Sequence, residues 1–246
     1  MVTLKMAIIF LMEQIRTPFS LIWTIMSPTV LFFFLHFNEI ELHYGDTAWL
    51  GKQISWFVGY ISFSVVLFNY CLYLVGRRES GFIATFVHNM DGRLLFIRSQ
   101  LIASLIMSIL YVFFFILVVL TGFQASPDYQ IVMIILKSIY INAFMMVSLT
   151  FMASFRVTFQ TASTIYSVLI TVCMVSGIVS LKYNEGIVYW INQVNPIAIY
   201  STILQSDQEL SLMTIFFYSI MLIISIISAL TFKTEPVWSS QWPYLF

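Results

Sequence analysis

Charge is what this chain has least of. Only 9% of its 246 residues are Asp, Glu, Lys or Arg, whereas 60% are hydrophobic and 17% aromatic. With a mean hydropathy of +0.93, that balance excludes a disordered chain and an ordinary soluble domain. Cysteine is almost missing. Cys71 and Cys173 fall in different apolar runs, without neighbouring metal ligands. They suit neither an exported disulfide nor a metal site, and read as apolar packing residues. No catalytic residue, metal site or nucleic-acid partner is expected.

The chemistry of common enzymes and carriers is also missing. No G-x-x-x-x-G-K-[ST] phosphate loop occurs, so this chain does not hydrolyse ATP by that route. There is no H-E-x-x-H and no C-x-x-C. His36, His43 and His88 are scattered, and no histidine follows His88 to serve an intramembrane serine protease. Every Asp and Glu falls in a loop or terminal segment. This argues against a proton- or ion-driven carrier, which keeps acids inside its spans.

Six apolar runs are present, at about residues 19–37, 56–76, 99–122, 130–155, 161–181 and 213–232. A span needs about 20 mostly apolar residues to cross roughly 30 Å of hydrocarbon. The expected fold is therefore an all-α integral membrane protein, one transmembrane unit over residues 1–246. Basic residues set its orientation. With both termini inside, Lys5, Arg16, Arg77, Arg78, Arg93, Arg98, Arg156 and Lys233 are cytoplasmic, and only Lys52 and Lys182 are external. Residues 1–16 lack a small-residue cleavage site, so they read as an amphipathic helix in the inner interface or as a tail.

Within the spans, polar residues are patterned. Ser55, Gly59, Ser62, Val66, Asn69, Tyr73 and Gly76 recur at steps of three and four, sharing one helix face. Gln160, Thr164, Ser167 and Thr171 repeat the pattern in the fifth run. Such stripes suit either close helix packing or a polar cavity. Pro28 predicts a kink in the first span. Lys137 lies about two turns inside the outer boundary. It either snorkels outward or pairs with an acid or a substrate group.

Two connections exceed what a turn needs. Residues 182–212 are too apolar for a free loop and suit short helices at the outer leaflet, with Asn195 ending one or capping the next before Pro196. The other is GRRESGFIATFVHNMDGRLLFIRSQL, residues 76–101, which carries four arginines. It is either a solvated topogenic loop or a segment that something on the cytoplasmic face reads.

The order of these features resembles the membrane subunits of the ABC-2 family of ATP-binding-cassette exporters. Arg77-Arg78-Glu79-Ser80-Gly81 resembles that family's R-E-x-G stretch after the second span. Ile191-Asn192-Gln193-Val194-Asn195-Pro196 resembles its Asn-Pro segment before the sixth. Asn89-Met90-Asp91-Gly92 stands where the family often has Thr-Pro, with turn chemistry kept by Asp-Gly. The resemblance implies a cytoplasmic coupling helix over Gly81 to Met90 that docks on a separate ABC ATPase subunit. Arg77, Arg78, Glu79, Phe82, Ile83, Phe86 and Val87 would make that contact. ATP and magnesium would sit on the ATPase, with no cofactor in this chain. A second permease chain, identical or a paralogue, would complete a path in a bacterial plasma membrane. Ser62, Asn69, Tyr73, Thr164, Ser167 and Thr171 would line it. An aromatic, weakly polar path suits a membrane-active peptide, a lipid or a drug. A polysaccharide or glycolipid export permease and a non-transport scaffold subunit are the alternatives.

Overall fold

The computed structural model describes residues 2–16, 18–83, 89–180, 185–205 and 212–232. Among these residues there are helices and turns but no strand. In chain order the α-helices are α1 (Val2–Ile15), α2 (Pro18–Leu35), α3 (Thr47–Glu79), α4 (Met90–Gly122), α5 (Tyr129–Leu149), α6 (Phe159–Ser180), α7 (Gly186–Val194), α8 (Pro196–Gln205) and α9 (Leu212–Leu230). Short 3-10 turns follow α2 at Phe37–Glu39 and α5 at Thr150–Ser154. Four stretches are long and apolar enough to cross a membrane: Thr47–Glu79, Met90–Gly122, Tyr129–Ser154 and Phe159–Val179. Shorter apolar stretches, Thr24–Leu35 and Tyr218–Leu230, lie in α2 and α9. The protein is an α-helical, membrane-embedded chain.

Polar side chains start the helices. The Trp49 amide donates to Asp46 Oδ1 at 3.0 Å, and the Gly92 amide to Asn89 Oδ1 at 2.8 Å. The Tyr129 amide donates to Asp128 Oδ1 at 2.6 Å and the Ile197 amide to Asn195 Oδ1 at 3.0 Å. Each satisfies a backbone donor that the helix itself leaves orphaned. The Trp49 amide, and after it His43, hold the Asp46 carboxyl below its usual range. α3 ends where Gly81 takes φ +73°, a left-handed conformation that glycine adopts at little cost.

Two helices run beyond the expected spans. The second and third apolar runs predict spans at 56–76 and 99–122, but α3 and α4 each run for 33 residues. A helix of that length is about 50 Å long, well beyond roughly 30 Å of hydrocarbon. The residues added to α4, 90–98, form the second half of the basic segment, so Met90 opens a helix and does not close a coupling helix. The added start of α3, 47–55, takes up the second half of the loop at 38–55 between the first two apolar runs, which carries Lys52 and is expected to be external. What is left of that loop is folded: Gly45 donates its amide to the Phe123 carbonyl at 3.1 Å, and His43 stacks on Trp49 at 4.2 Å.

α3 is the axis of the bundle: 72% of its most apolar window is buried, against 28% for α6. At one end Phe32 packs edge-on against Phe33, Phe57, Phe115 and Phe123, at ring distances of 5.0–5.9 Å, joining α2, α3 and α4. In the middle, α8 lies against α3 at Gly59, where a Cβ would come within 2.9 Å of the Ile197 carbonyl oxygen. Only glycine allows that approach. Tyr200 of α8 donates to the Ser138 carbonyl of α5 at 3.1 Å. α8 is thus docked into the core, while α7 buries none of its residues.

Candidate functional site

The residues singled out by sequence converge on the last turns of α3. Helical spacing puts Tyr73 and Arg77 on one face, four residues apart. Tyr73 donates its hydroxyl to Glu13 Oε2 of α1 at 2.6 Å, and Arg77 donates to both that carboxylate and the Tyr73 oxygen. The guanidinium of Arg77 also lies 4.8 Å from the centre of the Phe82 ring, a cation–π contact. Glu13, Tyr73, Arg77 and Phe82 therefore form one partly exposed cluster that fastens α1 to the end of α3.

Arg78 points the opposite way, into the protein, with 1% of its surface exposed. Its guanidinium donates to the carbonyls of Ala153 at 3.1 Å, Phe155 at 2.9 Å and Val157 at 2.8 Å. Nε lies 3.5 Å from Glu79. The chain from α5 to α6 thus turns around one cation, which satisfies carbonyls just past the negative end of the α5 dipole. Arg78 is expected from sequence to meet charges on a partner. In the structure it is buried and occupied within the chain, so it offers no surface charge. Glu79 is largely covered, and Ile83 is buried. Phe82 is partly buried beneath Arg77. Phe86 and Val87 lie outside the described residues.

Asn69 sits where α3 widens into a π-helical segment, Val65–Leu72. Its carbonyl accepts from Gln100 Nε2 at 2.6 Å and Ser104 Oγ at 3.0 Å, both on α4. Its side-chain amide donates to Gln14 of α1 and Tyr111 of α4, each at 3.4 Å. A π-bulge breaks the regular backbone ladder, and side chains from neighbouring helices supply the missing partners. Asn69 therefore ties α1, α3 and α4 together. Ser62 is fully buried beside α8, and Tyr73 belongs to the Glu13 cluster.

The matching residues of α6 face the other way. Thr164, Ser167 and Thr171 are exposed, each bonded to a carbonyl one turn back, on Gln160, Ser163 and Ser167. Within one chain, the structure does not bring the two stripes onto a common cavity. An apolar cavity of about 290 Å³ does open beside α6, lined by Phe63, Leu169, Cys173, Pro196 and Tyr218 among others.

Sequence reasoning missed one buried amide and one contact of another. Asn142 of α5 donates to Ser108 of α4 at 2.6 Å. Asn195 caps α8 and also donates to the Cys173 carbonyl at 2.8 Å and Ser176 Oγ at 3.0 Å, binding the α7–α8 junction to α6. The Asn-Pro pair signalled the cap, but nothing local signalled the second contact. Cys71 and Cys173 are buried thiols. Among the described residues no cluster of His, Cys, Asp or Glu could hold a metal ion. No protein-family model matches this chain, and no solved structure matches it.

Proposed function

We propose that the chain is the permease subunit of an ATP-binding-cassette exporter of the ABC-2 type, with six spans and both termini in the cytoplasm of a bacterial cell. In this reading a separate ATPase subunit binds ATP and magnesium and docks on the segment after α3. Two permease chains enclose a path for an amphipathic or hydrophobic cargo such as a membrane-active peptide, a lipid or a drug.

The observation that carries the reading is the construction around residues 77–83. α4 begins at Met90, nine residues before the expected third span, so its first turns carry this side of the connection beyond the hydrocarbon. Arg77 grips α1, and Arg78 grips the α5–α6 junction. A force delivered there reaches two other parts of the bundle through direct bonds. The exposed hydroxyl stripe of α6 supports a path formed between two chains, because its residues face away from the chain that carries them. The inward-facing stripe of α3 favours the second reading, a scaffold subunit, since its polar groups bind neighbouring helices.

The test is co-purification of the chain with an ABC ATPase and ATP-dependent export by the reconstituted complex. Phe82→Asp with Phe86→Asp should release the ATPase and abolish export, because carboxylates would face an apolar cleft. Retained export and association in that variant would remove this segment as the docking site. A membrane complex without any ATPase would favour the scaffold.

A further inference from the structure

Beside α6 the bundle is not closed. The apolar cavity of about 290 Å³ lies between α6, the α7–α8 junction and the first half of α9. On α6 it is lined by Leu169, Val172, Cys173 and Ser176, which share one helix face at steps of three and four. That face is not the hydroxyl stripe: Leu169 stands two residues after Ser167, about 200° round the helix. The second half of α9 is tied to the end of α5. There Ser225 accepts from the Phe151 amide and donates to the Ser148 carbonyl, and Ser154 donates to the Ser228 carbonyl. In the first half of α9, Tyr218 and Met221 line the cavity instead.

The polar side chains Asn195 and Ser176 on this wall are bound to the protein. Asn195 Nδ2 donates to the Cys173 carbonyl at 2.8 Å and to Ser176 Oγ at 3.0 Å, and its Oδ1 accepts from the Ile197 amide at 3.0 Å. Ser176 itself donates to the Cys173 carbonyl at 3.1 Å. A water molecule needs two to four polar partners, whereas apolar cavities take apolar guests. The mouth opens on a lipid-facing surface, because the lining residues Val172 and Ile191 are 56% and 40% exposed in a membrane-embedded chain. Leu169 and Ser176 lie about 15 and 26 Å along α6 from Phe159, so the cavity occupies the half of the bundle away from Arg78. α7 buries none of its residues and covers that end, with Ile191 and Val194 on the cavity wall.

We propose that this cavity is a binding site for one hydrocarbon chain of a bilayer phospholipid. The chain enters sideways past Val172 and Ile191 and lies between α6 and α9, on the leaflet side away from Arg78. The wall recognises the chain and not the headgroup, since its polar side chains Asn195 and Ser176 are engaged with each other and with the backbone. A bound chain completes the packing of α9 where hydrogen bonds to α5 no longer hold it. This inference does not depend on the permease reading.

The experiment places the full-length chain in phosphatidylcholine nanodiscs with a trace of phosphatidylcholine carrying a diazirine in mid-chain, and maps the photo-cross-links by peptide mass spectrometry. Labelling at 169–176 of α6 and at Met221 of α9 should be severalfold above that at Phe113 and Phe114, exposed residues of α4 that meet bulk lipid. Phosphatidylglycerol with the same diazirine chain should label the same residues equally. Cys173→Phe, which fills the cavity, should abolish the excess and leave the α4 labelling unchanged. Val172 is exposed, so Val172→Trp, which blocks the mouth, provides the test if Cys173→Phe fails to fold. Leu136→Trp, on an exposed part of α5, should change nothing. Labelling at 169–176 no higher than at Phe113 and Phe114, or an excess that survives both Cys173→Phe and Val172→Trp, would overturn the proposal. An equal excess from a diazirine alkane without a headgroup would assign the cavity to a free apolar molecule and overturn the phospholipid. Thiol cross-linking of two chains through Val172→Cys, with no lipid excess, would give the cleft to a second copy and overturn it too.

Discussion

Arg78→Met separates the part Arg78 plays inside the fold from any part at the surface. Methionine is long and apolar, so it fills much of the same space but donates nothing. Three carbonyls, of Ala153, Phe155 and Val157, then lose their donor. Each buried acceptor left unsatisfied costs about 1–3 kcal/mol. Removing a buried guanidinium returns part of that, because burying the charge was itself unfavourable by several kcal/mol. The net loss is about 3–5 kcal/mol, the usual result of deleting one partner from a buried ionic contact. For a chain of this size that lowers the melting temperature by about 6–20 °C. Arg78→Lys should fall between, since a single ammonium cannot span three acceptors with the geometry of a planar fork. Arg77→Met is the control. Its partner Glu13 is 45% exposed, so the pair is screened by solvent and its loss should cost about 0–1 kcal/mol. Thermal unfolding of the purified variants in detergent, followed by tryptophan fluorescence, ranks them. An Arg78→Met protein melting within about 2 °C of wild type, or above Arg77→Met, would refute the role assigned to the three carbonyls.

Three further outcomes follow from the packing. Asn69→Leu leaves the residue-69 carbonyl bonded to Gln100 and Ser104 but strips the side-chain bonds to Gln14 and Tyr111, and should destabilise by about 1–3 kcal/mol in chemical unfolding; an unchanged stability would refute the tying role assigned to this side chain. Gly59→Ala should cost about 1–3 kcal/mol by the same measurement, because its Cβ would lie 2.9 Å from the Ile197 carbonyl oxygen; a neutral result would mean that α8 is free to shift. The lowered Asp46 pKa has a defined sign: its contribution to stability is complete above the ordinary carboxylate pKa of about 4 and is lost as pH falls through the lower folded value. Acid unfolding of Asp46→Asn should lack that component, and an unchanged acid transition would contradict the cap.

Apolar runs revealed where the helices are, because hydrocarbon demands length and apolarity together. They did not reveal where α3 and α4 end. A helix leaving the membrane continues in water with residues such as Lys52, Arg93 and Arg98, and hydropathy reports the solvent around a residue, not its backbone. The stripe on α3 was legible as a face, since spacing alone fixes that. What the face meets was not, because small polar residues suit a neighbouring helix as well as a cavity. Arg78 was the least legible. Amid arginines in a basic segment it looks solvated, and only the path of the backbone at 153–157 gives it carbonyls to bind. Nothing in the sequence marked the π segment. Asn195 was read as a helix boundary because proline follows it, whereas its bond to the Cys173 carbonyl is set by α6, far along the chain.

The neighbours of Arg77 and Arg78 explain why two adjacent arginines belong in one helical turn. Consecutive residues on a helix point about 100° apart, so the pair reaches two different parts of the bundle from one place. Arg77 holds α1 through a carboxylate at a wet boundary, a contact that is cheap to break and remake. Arg78 holds the α5–α6 junction through backbone carbonyls in a dry one, a contact that is costly to break. A displacement of residues 77–83 would therefore carry the α5–α6 junction rigidly with it, while α1 could slip. About two turns further along α3, Asn69 repeats the junction to α1 and α4 at the widened segment, where the helix ladder is already interrupted. Motion entering at the end of α3 would meet its first compliant point there. The deep end of α3, locked to α8 at Gly59 and to the phenylalanine cluster around Phe57, would follow only as far as that segment allows.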